Sequence, residues 1–499
     1  MQASRYGPAV PRPAVATFDP FAGPPAIHGA RRVGIRPGTE LIHPLAVTGA
    51  RPLRFAVTGL PDDLAVDDEG IVRGTAPAEP GDHRVLVRAS NAEGEAEQAI
   101  ELCVGDALAL TPPMGWNSWN VYGPDVSAEV VVRVAEAMVA NGMRDLGYQY
   151  VNIDDHWHAE GRLPDGTPAA SPATFPDGIE PVAQRVHELG LKLGIYSDAA
   201  HLTCGRCFGG HGYEEIDART YASWGVDLLK YDYCFAPSAR TAAEDRYGAM
   251  GRALRASGRS IVLSVCEWGF RKPWEWAPGL GGSYWRTTPD IFDSFGWSPL
   301  GMRHIAWRNL KRADDAGPGR WNDPDMLLVG NRGRGRSTGR VHLPNQLPAP
   351  LRGRPVWSFR GLDDVQAQTH MTLWAMMAAP LLASHDLADT DPYDLALLTN
   401  PMVLAIDQDP LGAQGRRVRS PLGTWQLVKP LADGAVAISF TNLTRVRRSV
   451  SARLADHGLA GPVEVVDAWT MEPLGDVRTI EVTLPRHASA AFVCRPGPS

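Results

Sequence analysis

The sequence predicts a (β/α)8 barrel carried between two β-sandwiches, and three observations carry that expectation. The chain has 499 residues, too many for one ordinary domain. From Thr111 onward, short apolar strands alternate with amphipathic helices over roughly 290 residues, the rhythm of a parallel barrel. On both sides of that stretch the pattern is strict β alternation punctuated by Gly, Pro and Asp turns.

Taken in order, residues 1–26 read as a flexible leader, with Pro11, Pro13, Pro20, Pro24 and Pro25 opposing regular structure. Residues 27–107 hold the segments LRFAVTGL, GIVRGTA, HRVLVRASN and AEQAIELCV. Turns such as Pro61-Asp62-Asp63 and Pro80-Gly81-Asp82 separate them, so a small β-sandwich is expected. Residues 108–408 form the barrel. MGWNSW, YQYVNID, KLGIYSD, VDLLKYD, SIVLSVCE, SYWRTTPD, RWNDPDMLL and TLWAMMAAPLLAS are its eight strand candidates. Between them lie helices such as EIDARTYASWG, whose Ile216, Ala218, Tyr221 and Ala222 are spaced to face a sheet. Residues 409–499 return to alternation in TWQLVKPL, AVAISFTNL, VEVVDAWT, RTIEVTLP and ASAAFVC, and predict an antiparallel β-sandwich.

Composition narrows the class of function. With 44% hydrophobic and 21% charged residues, the chain is expected to be globular with a large core. A net charge of −7, with arginines scattered among acids, argues against nucleic acid or an anionic membrane as partner. No apolar run reaches the ~18 residues of a membrane span. No signal peptide is visible, which leaves a cytoplasmic protein or a secreted one with its signal removed. Six cysteines are too few for a disulfide scaffold, and the single CxxC of Cys204 and Cys207 has no second pair to complete a zinc site.

Chemistry in such a barrel sits at the C-terminal ends of the strands. Those ends carry Trp116 and Trp119, Asp154 and Asp155, Tyr196 and Asp198, and Lys230 and Asp232. The list continues with Cys266, Glu267 and Trp268, then Arg286 and Asp290, then Asp323 and Asp325. Any one Asp here can simply cap the next helix, and any one Trp can be core. Their joint occurrence around one rim describes a polar cavity walled by indoles. That cavity suits a sugar, whose hydroxyls bond carboxylates and whose apolar ring face stacks on an aromatic. A hard-cation site at these acids is the rival reading, opposed by Lys230 and Arg286 in the same rim, and no metal or cofactor is expected. Lys230 precedes Asp232 by two residues on one strand face, so its ammonium is expected to hold that carboxyl ionised as a nucleophile. Asp290 leaves its strand four residues beyond Arg286, toward a leaving group.

TPPMGWNSWN, VNIDDHW, KLGIYSD, WGVDLLKYDYC, SVCEWG, WRTTPDI, RWNDPDMLLVG and AIDQDPLG resemble, in order, the motifs of glycoside hydrolase family 27. The resemblance runs from about residue 110 to residue 415. It implies a retaining exo-α-galactosidase that works by double displacement, with Asp232 as nucleophile and Asp290 as general acid/base. It also implies Asp154 and Asp155 on the 4- and 6-hydroxyls, Trp119 as ring platform, and Tyr196 and Lys230 at the sugar or nucleophile. Glu267, Trp268 and Arg286 are implied around the 2-hydroxyl, Met326 on the floor, and Cys204 in a disulfide with Cys234 at the pocket wall. Cys103, Cys207 and Cys494 match nothing in the family and are expected to be buried thiols.

Within the family the alternatives are β-L-arabinopyranosidase, α-N-acetylgalactosaminidase and isomaltodextranase-like activity. Bulky, acidic Glu267-Trp268 opposes an acetamido group, and the intact Asp154-Asp155 favours galactose. The expected partner is therefore a galactose-containing oligosaccharide, polysaccharide or glycoconjugate. Outside the enzyme class, the alternative is a non-catalytic carbohydrate-binding protein on a decayed barrel. Two departures from the simplest members stand out. The N-terminal sandwich resembles an Ig-like module attached to some bacterial members, and two loops, 203–211 and 331–357, are expected to shape the leaving-group side.

Overall fold

The computed structural model describes residues 11–296, 298–336, 339–342 and 355–497, with backbone alone at 339–342 and 355–358. Eight parallel strands form the central sheet: β1 Met114–Asn117, β2 Tyr150–Asn152, β3 Lys192–Asp198, β4 Val226–Asp232, β5 Val262–Val265, β6 Gly282–Arg286, β7 Trp321–Asp323 and β8 Leu381–Ala383. They pair in chain order from β1 to β7, and β8 pairs with β1. The circle closes between β7 and β8 through a bridge of Leu327 with Ala383, where Leu327 N donates to Leu382 O at 2.8 Å. The strands are apolar and buried along nearly their whole length, as β4 (VDLLKYD) illustrates, because helices cover one face and barrel interior the other.

Six helices supply crossovers or follow them: α1 Ala128–Ala140, α2 Glu180–Glu188, α3 Glu214–Ser223, α4 Arg240–Ala256, α5 Met302–Asn309 and α6 Asp364–Met376. Helix α3 faces the sheet with Ala218 and Tyr221; Ile216 and Ala222 are only half-buried, and the buried Asp217 ion-pairs with Arg162. Between β5 and β6 the chain makes two short 3-10 turns, Pro273–Glu275 and Pro278–Leu280, because closely spaced prolines leave no room for a longer helix.

The segment TLWAMMAAPLLAS, expected as one strand, divides. Thr372 to Met376 end α6, and only Leu381–Ala383 is strand. Asp363 and Gln366 form a capping box that starts the helix, and Pro380 ends it. The helix is buried on nearly every side, so it lacks the polar stripe that would distinguish it from a core strand.

N-terminal to the barrel, Arg54–Thr58, Gly81–Asn91, Gly94–Val104 and Arg32–Ile35 form one sheet, and Glu40–Pro44, Ile71–Thr75 and Leu64–Val66 a second. Val33, Leu41, Val72, Val85, Val87 and Leu102 fill the space between them. This unit sits on the barrel floor, opposite the C-terminal strand ends. Arg36 N donates to Ser260 Oγ at 2.8 Å, Arg73 donates to the His187 carbonyl at 2.7 Å, and Arg259 joins Glu40 and Asp227 at 2.7 Å each.

Residues 11–25, part of the segment expected as a leader, contact the rest of the chain. Arg12 pairs with Asp364 at 2.8 Å and stacks on Tyr393, while Ala16 N bonds the Trp469 carbonyl. Residues 1–10 of that segment lie outside the described residues, as does most of the loop 331–357. A six-stranded antiparallel sheet and the pair Arg448–Arg453 with Thr479–Leu484 form the C-terminal sandwich. It packs on α6 and buries Lys429, whose ammonium reaches the Ala375 carbonyl at 3.3 Å. Among the described residues, no helix is long and apolar enough to cross a membrane.

Candidate active site

Register between β3 and β4 sets Tyr196 beside Lys230 and Asp198 beside Asp232, which concentrates polar groups at one height of the barrel. Asp232, at the tip of β4, is 5% exposed. The Tyr196 hydroxyl donates to its Oδ2 at 2.9 Å, and Tyr233 N to its Oδ1 at 3.2 Å. The Cys266 thiol is a further hydrogen-bond partner. The Cys204 sulfur lies 3.4 Å from the same Oδ2; because Cys204 is disulfide-bonded to Cys234, it has no proton to give and acts as wall.

Burial pushes the Asp232 carboxyl up to about 6, against the lowering field of Lys230, and the charge of Asp290 adds to the rise. Lys230 does not contact Asp232 as the spacing suggested. Its ammonium donates to Asp154 Oδ2 at 2.7 Å and acts on Asp232 through the field alone. The reason is geometric: Asp154 emerges from the end of β2 directly above the Lys230 side chain, and Asn117 from β1 completes the grip on Oδ2 at 2.9 Å.

Asp154 and Asp155 both lie beyond the last residue of β2, where strand alternation no longer holds, so both carboxyls turn to one region. They are 2% and 1% exposed. Asp155 accepts from Gly205 N at 2.7 Å and His156 N at 2.8 Å, which ties β2's end to the disulfide-bearing loop after β3. Trp119, half-buried after β1, lies nearly parallel to the His156 ring, at 7° with centroids 6.1 Å apart.

Asp290 has the opposite surroundings. Its side chain is 54% exposed and takes one hydrogen bond from Arg286 Nη2 at 3.1 Å. Arg286 is 2% exposed, and the same nitrogen pairs with Asp325 Oδ2 at 3.1 Å. Met326 lines a small cavity with Asn117, Lys230, Arg286, Asp323 and Asp325 in the barrel throat.

Glu267, expected near a sugar hydroxyl, is held by its own loop. Its Oε2 accepts from Arg271 N at 2.7 Å and from the Arg271 guanidinium at 3.2 Å, and its side chain is fully buried. Left-handed Trp268 (φ +58°) and Gly269 (φ +73°) fold the loop back so that Glu267 fastens it, with Trp268 half-buried at the turn. Burial pushes the Glu267 carboxyl up to about 7.

Three further residues belong to the site by contact. Asn117 holds Asp154, Cys266 faces Asp232, and Asp325 balances Arg286. Cys266 and Asp325 stand at strand ends, which was their signal in the sequence; Asn117 carries none in spacing. His156, Trp268 and Asp325 all have positive φ, so backbone strain gathers on the active face.

A closed barrel that sets one buried and one solvent-facing carboxyl around a single mouth, with a tryptophan on its rim, defines a glycoside hydrolase. Comparison with known proteins gives the family. The sequence profile described as "Alpha galactosidase A" matches residues 111–351 and 356–409, and that of the "Alpha galactosidase C-terminal beta sandwich domain" matches residues 423–494. The chain belongs to this α-galactosidase family, glycoside hydrolase family 27.

An α-galactosidase of Cyamopsis tetragonoloba is 40% identical over 411 residues, covering 82% of this chain and 92% of the relative. A probable α-galactosidase of Dictyostelium discoideum is 42% identical, covering 68% and 79%. Among solved structures, α-galactosidase I of Mortierella vinacea superposes with a TM-score of 0.71 at 30% identity, covering 79% of this chain and all of that one. A Bacteroides fragilis protein provisionally named an α-galactosidase reaches 0.88 at 39% identity and covers 97% of this chain and all of its own. The N-terminal β unit therefore lies within the matched span of that structure.

Proposed function

We propose that the protein is a retaining exo-α-galactosidase that releases terminal α-D-galactosyl residues by double displacement. The observation that carries the reading is the contrast between Asp232, buried beneath donors from Tyr196 and Cys266, and Asp290, half in solvent beside Arg286. Asp232 attacks the anomeric carbon while Asp290 gives its proton to the departing glycosidic oxygen. Asp290 then takes a proton from water, which displaces Asp232 and regenerates the free carboxylate. Asp154 and Asp155, held by Lys230, Asn117 and Gly205, present acceptors to the 4- and 6-hydroxyls, with Trp119 beneath the ring.

Mass spectrometry after a slow fluorosugar substrate is expected to find the label on Asp232; a label on any other residue overturns the assignment. Asp290→Ala is expected to lose activity on poor leaving groups at least about a hundredfold more than on nitrophenyl galactoside. Equal losses would remove it from the acid role. Nitrophenyl α-galactoside, β-L-arabinopyranoside and α-N-acetylgalactosaminide compared side by side test the sugar, and the first is expected to be the best substrate.

A further inference from the structure

Behind Asp155, on the side away from Lys230, lies a group of donors that the hydrolytic reading does not use. One ligand atom each from Asp155, His158 and Cys207 lies within 4.8 Å of the others. Asp155 Oδ1 is 3.7 Å from His158 Nδ1, and Cys207 Sγ is 3.9 Å from Nδ1 of His156. We propose that Asp155, His158 and Cys207 bind one transition-metal cation of the zinc type, with solvent as the fourth ligand.

His158 is the observation that points to a ligand. Its side chain has no exposure, and neither ring nitrogen has a hydrogen-bond partner. An imidazole buried without partners destabilises a fold, and a bound cation removes that cost. Trp157 stacks on the ring at 4.1 Å and Phe208 meets it edge-on at 4.8 Å, so its orientation is clamped.

The spacing suits a small cation. Tetrahedral zinc with bonds of about 2.0–2.3 Å places its N and O donors about 3.3 Å apart, and S and N about 3.6 Å apart. The 3.7 Å between Asp155 and His158 needs a contraction of only a few tenths of an ångström, and Cys207, within 4.8 Å of both, closes on them by about an ångström through rotation of its side chain. Nitrogen and sulfur donors select zinc-type ions over calcium or magnesium. Asp155 and a Cys207 thiolate bring two negative charges to a divalent ion. The two nearby cations are already engaged: Arg162 with Asp217, and Lys230 with Asp154. Cys204 is held in the disulfide, so the CxxC does not act as a chelating pair. Binding releases the Cys207 proton to solvent. Cys207 and His156 are both half-buried, which leaves a path from solvent.

An ion here takes Asp155 away from the sugar, a consequence that rests on the reading of Asp155 as a sugar ligand. Zinc is therefore expected to raise KM and leave kcat. The test uses the full-length protein freed of metal. Titration calorimetry with Zn2+ is expected to give one equivalent, and Co2+ a sulfur-to-metal charge-transfer band. Cys207→Ala should abolish that band and weaken Zn2+ at least tenfold while keeping basal activity; His158→Gln should weaken Zn2+ as well. Absence of the band, or Zn2+ binding unchanged in Cys207→Ala, overturns the site. One-equivalent binding without a rise in KM overturns the shared use of Asp155. Failure to hydrolyse any galactoside would count against the proposed function and not against the ion site, because calorimetry and the cobalt spectrum need no turnover.

Discussion

Two carboxyls of the same chemical type behave differently here because water reaches one and not the other. Asp232 is raised to about 6 by burial, so the proposed nucleophile is expected to lose its charge as pH falls through that value. The acidic limb of kcat/KM should accordingly lie near pH 6. Lys230 lowers Asp232, so Lys230→Met is expected to move the limb to higher pH, as a pH–rate profile would measure; a limb that moves down contradicts the field account. Much of this site was legible from strand ends alone, since a carboxyl or amine closing a barrel strand faces the mouth. Glu267 was not. Its partner Arg271 lies four residues ahead, across a turn made by left-handed Trp268 and Gly269, and no periodicity reports such a fold-back. Lys230 acts on Asp232 through its field, as its spacing suggests, but its contact with Asp154 was not legible, because spacing along β4 says nothing of what β2 brings across.

The elements show which signals carry and which fade. Strands β3 and β4 were legible because their apolar runs are bounded and end in acids. Helix α6 was not, since complete burial erases amphipathic contrast. The loop after β3 matters as much as any strand. Gly205 N holds Asp155, and a Cβ at Gly205 would lie 2.4 Å from His156 Nε2 and 2.8 Å from Asp155 Oδ2. Gly205→Ala is thus expected to displace that carboxylate and raise KM for galactosides by about tenfold or more, the worth of one hydrogen bond to a charged group. Steady-state kinetics with an unchanged melting temperature would support this; unchanged KM would not.

For the whole molecule, the N-terminal sandwich was legible as strands and turns but not in its use, since sequence alternation shows which face is apolar and never what covers it. Its contacts through Arg36, Arg73 and Glu40 lie on the barrel floor, far from the catalytic mouth. Removing residues 1–106 is expected to leave Arg259 and Asp227 uncovered, lower soluble yield and melting temperature, and leave polysaccharide binding by any surviving protein unchanged. Loss of polysaccharide binding at full stability would instead make the sandwich a glycan-binding module.

The link between β5 and β6 has a bearing on turnover. It has no long helix, carries Pro273 and Pro278 within its short turns, and is braced by Arg271, which reaches the Ser238 carbonyl at 3.0 Å. Gly269 meets the Thr287 backbone just ahead of Asp290, so this proline-bearing segment borders the side of the mouth that Asp290 occupies. A loop restrained by prolines and by its own hydrogen bonds surrenders less conformational entropy when a substrate arrives than an unrestrained one. To that extent the cost of ordering that side of the mouth falls on folding and not on binding.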